Sequence, residues 1–557
     1  MLLTISLGGL SLAHAGSATW DLNPTSNDWS TAANWTPETV PNGPTDTATF
    51  SLSNVTDPFV NMDIEVAATI FDVGASAYEI SLEGLHTFTL SGTGVMNNSG
   101  QVQTFVLNPE YHLRFTNSAT AGSQTNIQGG TVEFDDTSSA GSSTFTIVQG
   151  EIQFRDHSSA ADGIFMVGGL DQPPGTFAQI FFFEHSSAGN GYFVVNSSSS
   201  PDLENHGFVV LDENAIADSP TFINMPSSFV GGVGGLTNII GSAGNGTFVA
   251  AGSSVQGFFA AGEVGIFGRA GSGSYTATGG TNGGSGGVLF FSGSANGQTA
   301  RLTVLGNAIM EMGTTDAPGL TIGSLEGDGL VYITKFVGFG EKRLTVGTNN
   351  LDTTFSGVIH DSADPGAAGF LAKVGTGTLT LSGANTYHGG TIIREGTLLV
   401  TTPNGSGTGS GPVHVEGGTL GGTGMITGPL RVGIGTGTAF LSPGVDGTGT
   451  LSVRAGVTFA ADGVYQCELS SDEAEADDVN VKEVTIQSGA TFTFVPLGTS
   501  TLPIGMIFTV LEKRDPGVIN GSFQNLADGA IFTAGGNTFQ ASYSGGDGND
   551  LTLTVVP

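Results

Sequence analysis

A single cysteine, Cys467, occurs in 557 residues, which excludes an internal disulfide framework and any metal site made of several thiolates. Its neighbours Val464, Tyr465 and Leu469 mark it as a small buried strand residue rather than a nucleophile. Basic residues are also scarce. Lys and Arg total 14 against 49 Asp and Glu, giving a formal charge of −35 that is repelled by phosphate backbones and anionic lipid. Nucleic acid is therefore not expected as a partner, and the charge is read as keeping a strand-rich chain soluble despite exposed edges. The nine histidines show no H-E-x-x-H spacing. Bases are too few for a pectate-lyase-like site, which needs Arg or Lys beside clustered acids.

What the chain does contain is glycine, 90 residues, and phenylalanine, 36, with only 11% charged residues. Phenylalanine provides an interior, and Gly, Ser and Thr serve turns, so the chain is expected to fold. Its makeup stays even from end to end, which favours one repetitive body over separate globules.

Order is clearest in Gly369–Val400. Apolar residues alternate with Thr in Thr378-Leu379-Thr380-Leu381, and Thr397-Leu398-Leu399-Val400 forms a second short strand, with Gly and Asn between them. The triplet Gly-Thr-Leu recurs at 377, 396, 418 and 449, in steps of 19, 22 and 31 residues with no helical segment between. Such steps suit the coils of a solenoid. The stretch resembles the autotransporter-associated β-strand repeat of bacterial surface proteins. The resemblance implies an all-β chain folded as a right-handed parallel β-helix. It extends from 369 to 557 through Gly418-Thr419-Leu420-Gly421-Gly422-Thr423-Gly424, Leu441-Ser442-Pro443-Gly444 and the ending Tyr543-Ser544-Gly545-Gly546-Asp547-Gly548-Asn549-Asp550, all similar to autotransporter passengers. The translocator barrel of that family has no counterpart before Pro557, so self-export is not expected of these residues.

Five regions are expected. Residues 1–15 read as a signal peptide, an apolar run followed by Ala13-His14-Ala15, with cleavage after Ala15. No other apolar run is long enough to span a bilayer. Residues 16–50 hold all three tryptophans, Trp20, Trp29 and Trp35, and read as an aromatic cap over the first coil; a carbohydrate-binding platform is the sharper alternative. Residues 51–355 are assigned to β-helix repeats, 356–455 to the autotransporter-associated repeat region and 456–557 to a passenger-type end. The Gly-rich segment 231–297 is assigned to the helix by continuity. Its Gly283-Gly284-Ser285-Gly286-Gly287 fits G-x-S-x-G, but no helix-forming sequence follows, and a serine hydrolase is not expected. Inserts around Pro173-Pro174 and Ser197–Pro201 are expected to project as loops at 170–178 and 196–207.

A second ladder places acids at matching positions. Aligned on Phe115, Phe134, Phe154, Phe182 and Val210, the residues two places on are Asn117, Asp136, Asp156, Glu184 and Asp212, with His157 and His185 one further. Coils in register would stack these carboxylates about 4.8 Å apart, where they repel. Ca²⁺, shared protons or outward rotation into water would each relieve this; turn positions bonded to backbone are favoured. Two other acidic stretches, Asp472–Asp478 and the Gly545–Asp550 ending, lack calcium-loop spacing or stacked copies and read as loops.

The expected function is that of a structural or adhesive protein, secreted or held at a bacterial cell surface or outer membrane, with no catalytic residues and no cofactor. Expected partners are extracellular polysaccharide or neighbouring cell-surface molecules, with self-association open. A carbohydrate-active β-helix enzyme, lyase or glycosidase, is the competing class.

Overall fold

A computed structural model describes residues 16–169, 178–198, 206–257, 259–316, 318–334, 340–361 and 368–557. The expected signal peptide with its cleavage at Ala15, and most of the two inserts near 170–178 and 196–207, lie outside the described residues. Among those described, one 3-10 turn at Ala32–Asn34 interrupts an otherwise all-β fold of mainly parallel strands, a β-solenoid. No helix there is long and apolar enough to cross a membrane. The chain forms two compact units, one reaching Phe248 and taking in 255–262, the other formed by 249–254 and Glu263–Pro557.

In the first unit each coil contributes one strand to each of two parallel sheets. Alternation drives this. Thr131–Phe134 buries Val132 and Phe134 and half-exposes Thr131 and Glu133, and it pairs in register with His112–Phe115 on one side and Glu151–Phe154 on the other. The second sheet runs through Ser123–Gln128, Ser142–Ile147, Ile164–Val167, Tyr192–Val195 and Thr221–Asn224. A third contact line is only one residue wide, a series of bridges joining Gly94, Thr120, Ser139, Ser159, Ser187, Ile216 and Ser242.

Register stacks identical side chains inside. Phe115, Phe134, Phe154 and Phe182 lie ring on ring at 4.8, 4.7 and 4.7 Å. Facing them, Phe145, Phe165, Phe193 and Phe222 stack at 4.9, 4.6 and 4.3 Å. The two columns meet edge to face, as in Phe154–Phe165 at 6.0 Å, a geometry that suits the ring quadrupole. The second column explains the Gly-x-Phe pattern of Gly163–Phe165 and Gly191–Phe193, because a Cβ on either glycine would come within 2.8 or 2.7 Å of the ring.

The expected cap is present. Trp20, Trp29 and Trp35 are buried, with ring centroids 5.0 and 4.8 Å apart along the chain of contacts, and they pack on Phe50 of the next strand. Their indole N–H groups donate to the carbonyls of Val55, Pro41 and Trp29. Buried rings cannot serve as a sugar platform, so that alternative is corrected here.

The second unit has a third parallel sheet. Gly319–Ile322, Lys342–Val346, Gly369–Lys373, Gly390–Ile393 and Val413–Val415 pair successively in parallel. Within the second unit the Gly-rich stretch from Glu263 forms parallel solenoid strands, with Glu263–Ile266 pairing Val288–Gly293 and Ser274–Ala277 pairing Arg301–Val304. A strand, Val288–Gly293, follows the G-x-S-x-G match where a hydrolase would need a helix. At the end the direction changes: Ile507–Lys513, Asp550–Val556, Asn537–Gly545 and Ile531–Ala534 form an antiparallel meander.

Candidate functional site

The acidic column is a set of turns in the first unit. Asn117, Asp136, Asp156 and Glu184 all have φ near +55°, a conformation uncommon for residues other than glycine. Each turn closes with a bond of the type Ser138 N–H to Asp135 O, 3.1 Å. The carboxylates do not stand idle. Asp136 Oδ2 accepts the N–H of Asn117 at 2.8 Å, Asp156 Oδ2 that of Asp136 at 3.0 Å, and Glu184 Oε2 that of Asp156 at 2.8 Å. The repulsion foreseen between stacked carboxylates is thus met by a partial positive charge one coil back. His157 and His185 stack beside the column at 5.4 Å with rings 10° apart.

The fifth position needs correction. Phe182 pairs with Leu211 and Phe181 with Val210, so the equivalent of Glu184 is Glu213, and Asp212 falls one place early. The adjacent apolar residues Val210 and Leu211 leave the register ambiguous by one residue in the sequence. Among the described residues no group of three or more His, Cys, Asp or Glu is arranged to hold a metal ion. Cys467 is buried, as expected, and burial pushes its thiol well above the usual range.

Three arrangements were not legible in the sequence. In the second unit Asp361, whose side chain is fully buried, accepts the N–H groups of Gly369 and His388 at 2.9 and 2.8 Å, while its Oδ1 lies 2.7 Å from Nδ1 of His388. Acid and imidazole are 27 residues apart, one coil, and variable coil length conceals such a pairing. No serine hydroxyl among the described residues hydrogen-bonds to His388, so two members of a hydrolytic triad meet without a third. Lys373 is 1% exposed, and its Nζ donates to the carbonyls of Val374, Gly375 and Glu395 at 2.7, 2.8 and 3.2 Å; burial lowers it to about 8. Asp477 and Asp478 are both raised to about 7, first by burial. Asp477 joins strands by accepting the N–H groups of Gly449 and Glu468 at 2.9 Å each.

Two clefts open on the outer face of one sheet of the second unit. The first, about 460 Å³, is lined by Thr303, Glu326, Asp352, Thr354, Thr378 and Thr380 among others. The second, about 400 Å³, takes in Thr378, Thr397, Leu399, Thr419, Asp446 and Glu468. Thr378 belongs to both.

Comparison with known proteins agrees with this architecture. The family described as passenger-associated-transport-repeat matches residues 371–400, which form the strands at Gly369–Lys373, Thr378–Leu381, Gly390–Ile393 and Thr397–Val400. An extracellular serine protease of Serratia marcescens is 29% identical over 172 residues, 29% of this chain and 15% of that protein. The adhesin BmaC autotransporter of Brucella suis biovar 1 (strain 1330) is 38% identical over 94 residues, 17% of this chain and 2% of that protein. The chain thus spans only a small part of each of these curated relatives. It carries an autotransporter passenger repeat within a passenger-like parallel β-solenoid.

Proposed function

We propose that this passenger-like β-solenoid is a secreted or cell-surface adhesive protein that works without catalysis. The observation that carries the reading is the passenger repeat at 371–400, seated as successive coils of the solenoid. A repetitive face offers many equivalent weak contacts, which suits adhesion better than turnover. The adhesin relative supports the same reading, while the serine protease relative keeps a hydrolytic role in view. Against hydrolysis stands His388, which faces solvent and has Asp361 but no serine hydroxyl as a hydrogen-bond partner among the described residues.

The test uses the intact protein coupled to beads. Adhesion to bacterial and animal cells is expected above that of albumin-coated beads, with no release of peptides from casein or of reducing ends from polysaccharides. Robust turnover of either substrate would replace adhesion with an enzymatic reading, and beads that adhere no better than the control would remove it.

A further inference from the structure

The two clefts that share Thr378 lie on one continuous strip of sheet. Thr354 pairs in register with Thr380, Thr378 with Thr397, and Thr397 with Thr419. Two columns of hydroxyls therefore cross the strands, repeating at the coil spacing of about 4.8 Å. Among the described residues nothing hydrogen-bonds to the Oγ1 atoms of Thr303, Thr354, Thr378, Thr380, Thr397 or Thr419, and five of the six are only half-buried, Thr354 being exposed. Each can both donate and accept.

We propose that these clefts form one groove that binds a neutral, linear polysaccharide laid across the coils; the proposal rests on the adhesive reading above and names its ligand class. Four features select that occupant. A polymer crossing the strands meets a threonine hydroxyl on each of four successive strands, Thr354, Thr378 and Thr380, Thr397 and Thr419, so a chain of repeating units fits where a compact ligand does not. Peptides that bind by adding a strand are excluded, because the strands at 378–381 and 397–400 are already paired on both sides. Anionic chains are disfavoured by charge: Asp352 lines one end, beside a Glu326 that is paired with Arg301, Asp446 and Glu468 line the other, and no Lys, Arg or His lines either cleft. Apolar walls from Leu305, Leu399, Pro443 and Leu497 provide surfaces for the C–H faces of sugar rings.

Room is kept open at the centre of the strip. Gly421 follows Leu399 in register, and a Cβ there would approach Leu399 Cδ2 to 3.0 Å and the carbonyl of Ser442 to 2.5 Å. Leu399 can therefore lie down over the glycine, which leaves the Thr397 and Thr419 hydroxyls standing at the rim.

Affinity electrophoresis of the intact protein tests this, in gels cast with β-glucan, mannan or polygalacturonate. The expected result is retardation by a neutral polysaccharide and none by polygalacturonate. A triple variant, Thr378→Val, Thr397→Val, Thr419→Val, keeps the strand-forming shape and should melt like the parent while losing at least about fivefold in retardation. Passage of the parent unretarded through both neutral gels overturns the groove, as does stronger retention by polygalacturonate or equal retardation of parent and variant. Bead adhesion separates the two levels: a parent that adheres to cells but ignores both glycans loses the groove and keeps the adhesive reading, whereas loss of adhesion by the parent removes that reading.

Discussion

The carboxylate of Glu184 reaches back one coil to accept the backbone N–H of Asp156, 2.8 Å away, and Asp156 does the same for Asp136. The column is a chain of acceptors facing amides, with one oxygen of each carboxylate engaged. Among the described residues its acids do not gather into a group of three or more that could hold a metal ion, so calcium is not expected to bind there. A calcium titration should leave the melting temperature of the intact protein and of an Asp136→Asn, Asp156→Asn variant changing alike, with the variant less stable by under about 1 kcal/mol per site because an amide oxygen is a weaker acceptor. A calcium-dependent rise in the parent alone would make the column an ion site.

The phenylalanine columns should dominate the stability of the first unit. Phe165 is fully buried, stacked on Phe145 and Phe193 and edge-on to Phe154, so Phe165→Ala is expected to cost about 3–5 kcal/mol in denaturant unfolding. Gly191→Ala tests the same contact from the other side, since its new methyl would meet the Phe193 ring at 2.7 Å. A loss of about 1–3 kcal/mol is expected.

Lys373 should matter as a donor rather than as a charge. Lys373→Met removes three bonds to turn carbonyls in the passenger repeat and should destabilise the second unit by about 1–3 kcal/mol. Burial lowers the folded value to about 8 from an ordinary 10.5, so the unfolded chain binds more protons between them. Lys373 therefore adds stability as pH rises from about 8 to 10.5, and the Met variant should lack this increment when unfolding is followed across that range.

Asp477 and Asp478 carry the opposite sign. Both are raised from 3.8 to about 7, so the folded state holds protons that the unfolded chain has released. Their contribution is fully present below pH 4 and is lost as pH rises to about 7. Around Asp478 the neighbouring charges are Glu512 and Asp550, and burial outweighs them. Asp478→Asn should flatten the pH dependence of unfolding in this window; an unchanged slope would place the titration elsewhere.

How much of this the sequence made legible depends on the distance over which each relationship acts. Strands such as Thr378–Leu381 and Thr397–Val400 are written in their own alternation, and Cys467 betrays its burial through Val464 and Leu469. The first phenylalanine column could be followed through Phe182, even across a 28-residue step, because a phenylalanine marks each of those coils. At the next step the apolar pair Val210-Leu211 left the register ambiguous by one residue, and Asp212 took the place of Glu213. The second column, Phe145 to Phe222, was not legible from one shared pattern, because Gly-x-Phe marks only its two middle members, Phe165 and Phe193. Asp361 and His388 escaped for a different reason: their meeting depends on how a whole coil closes, which no local pattern encodes.

The one-way bonding of the acidic turns bears on how such proteins change over generations. Each coil offers its carboxylate to the coil before it and its own N–H to the coil after, so every junction in the series is alike. Duplicating a coil, or deleting one, restores the same junction on both sides with no compensating substitution. Length becomes a trait that recombination between repeats can adjust in whole-coil increments.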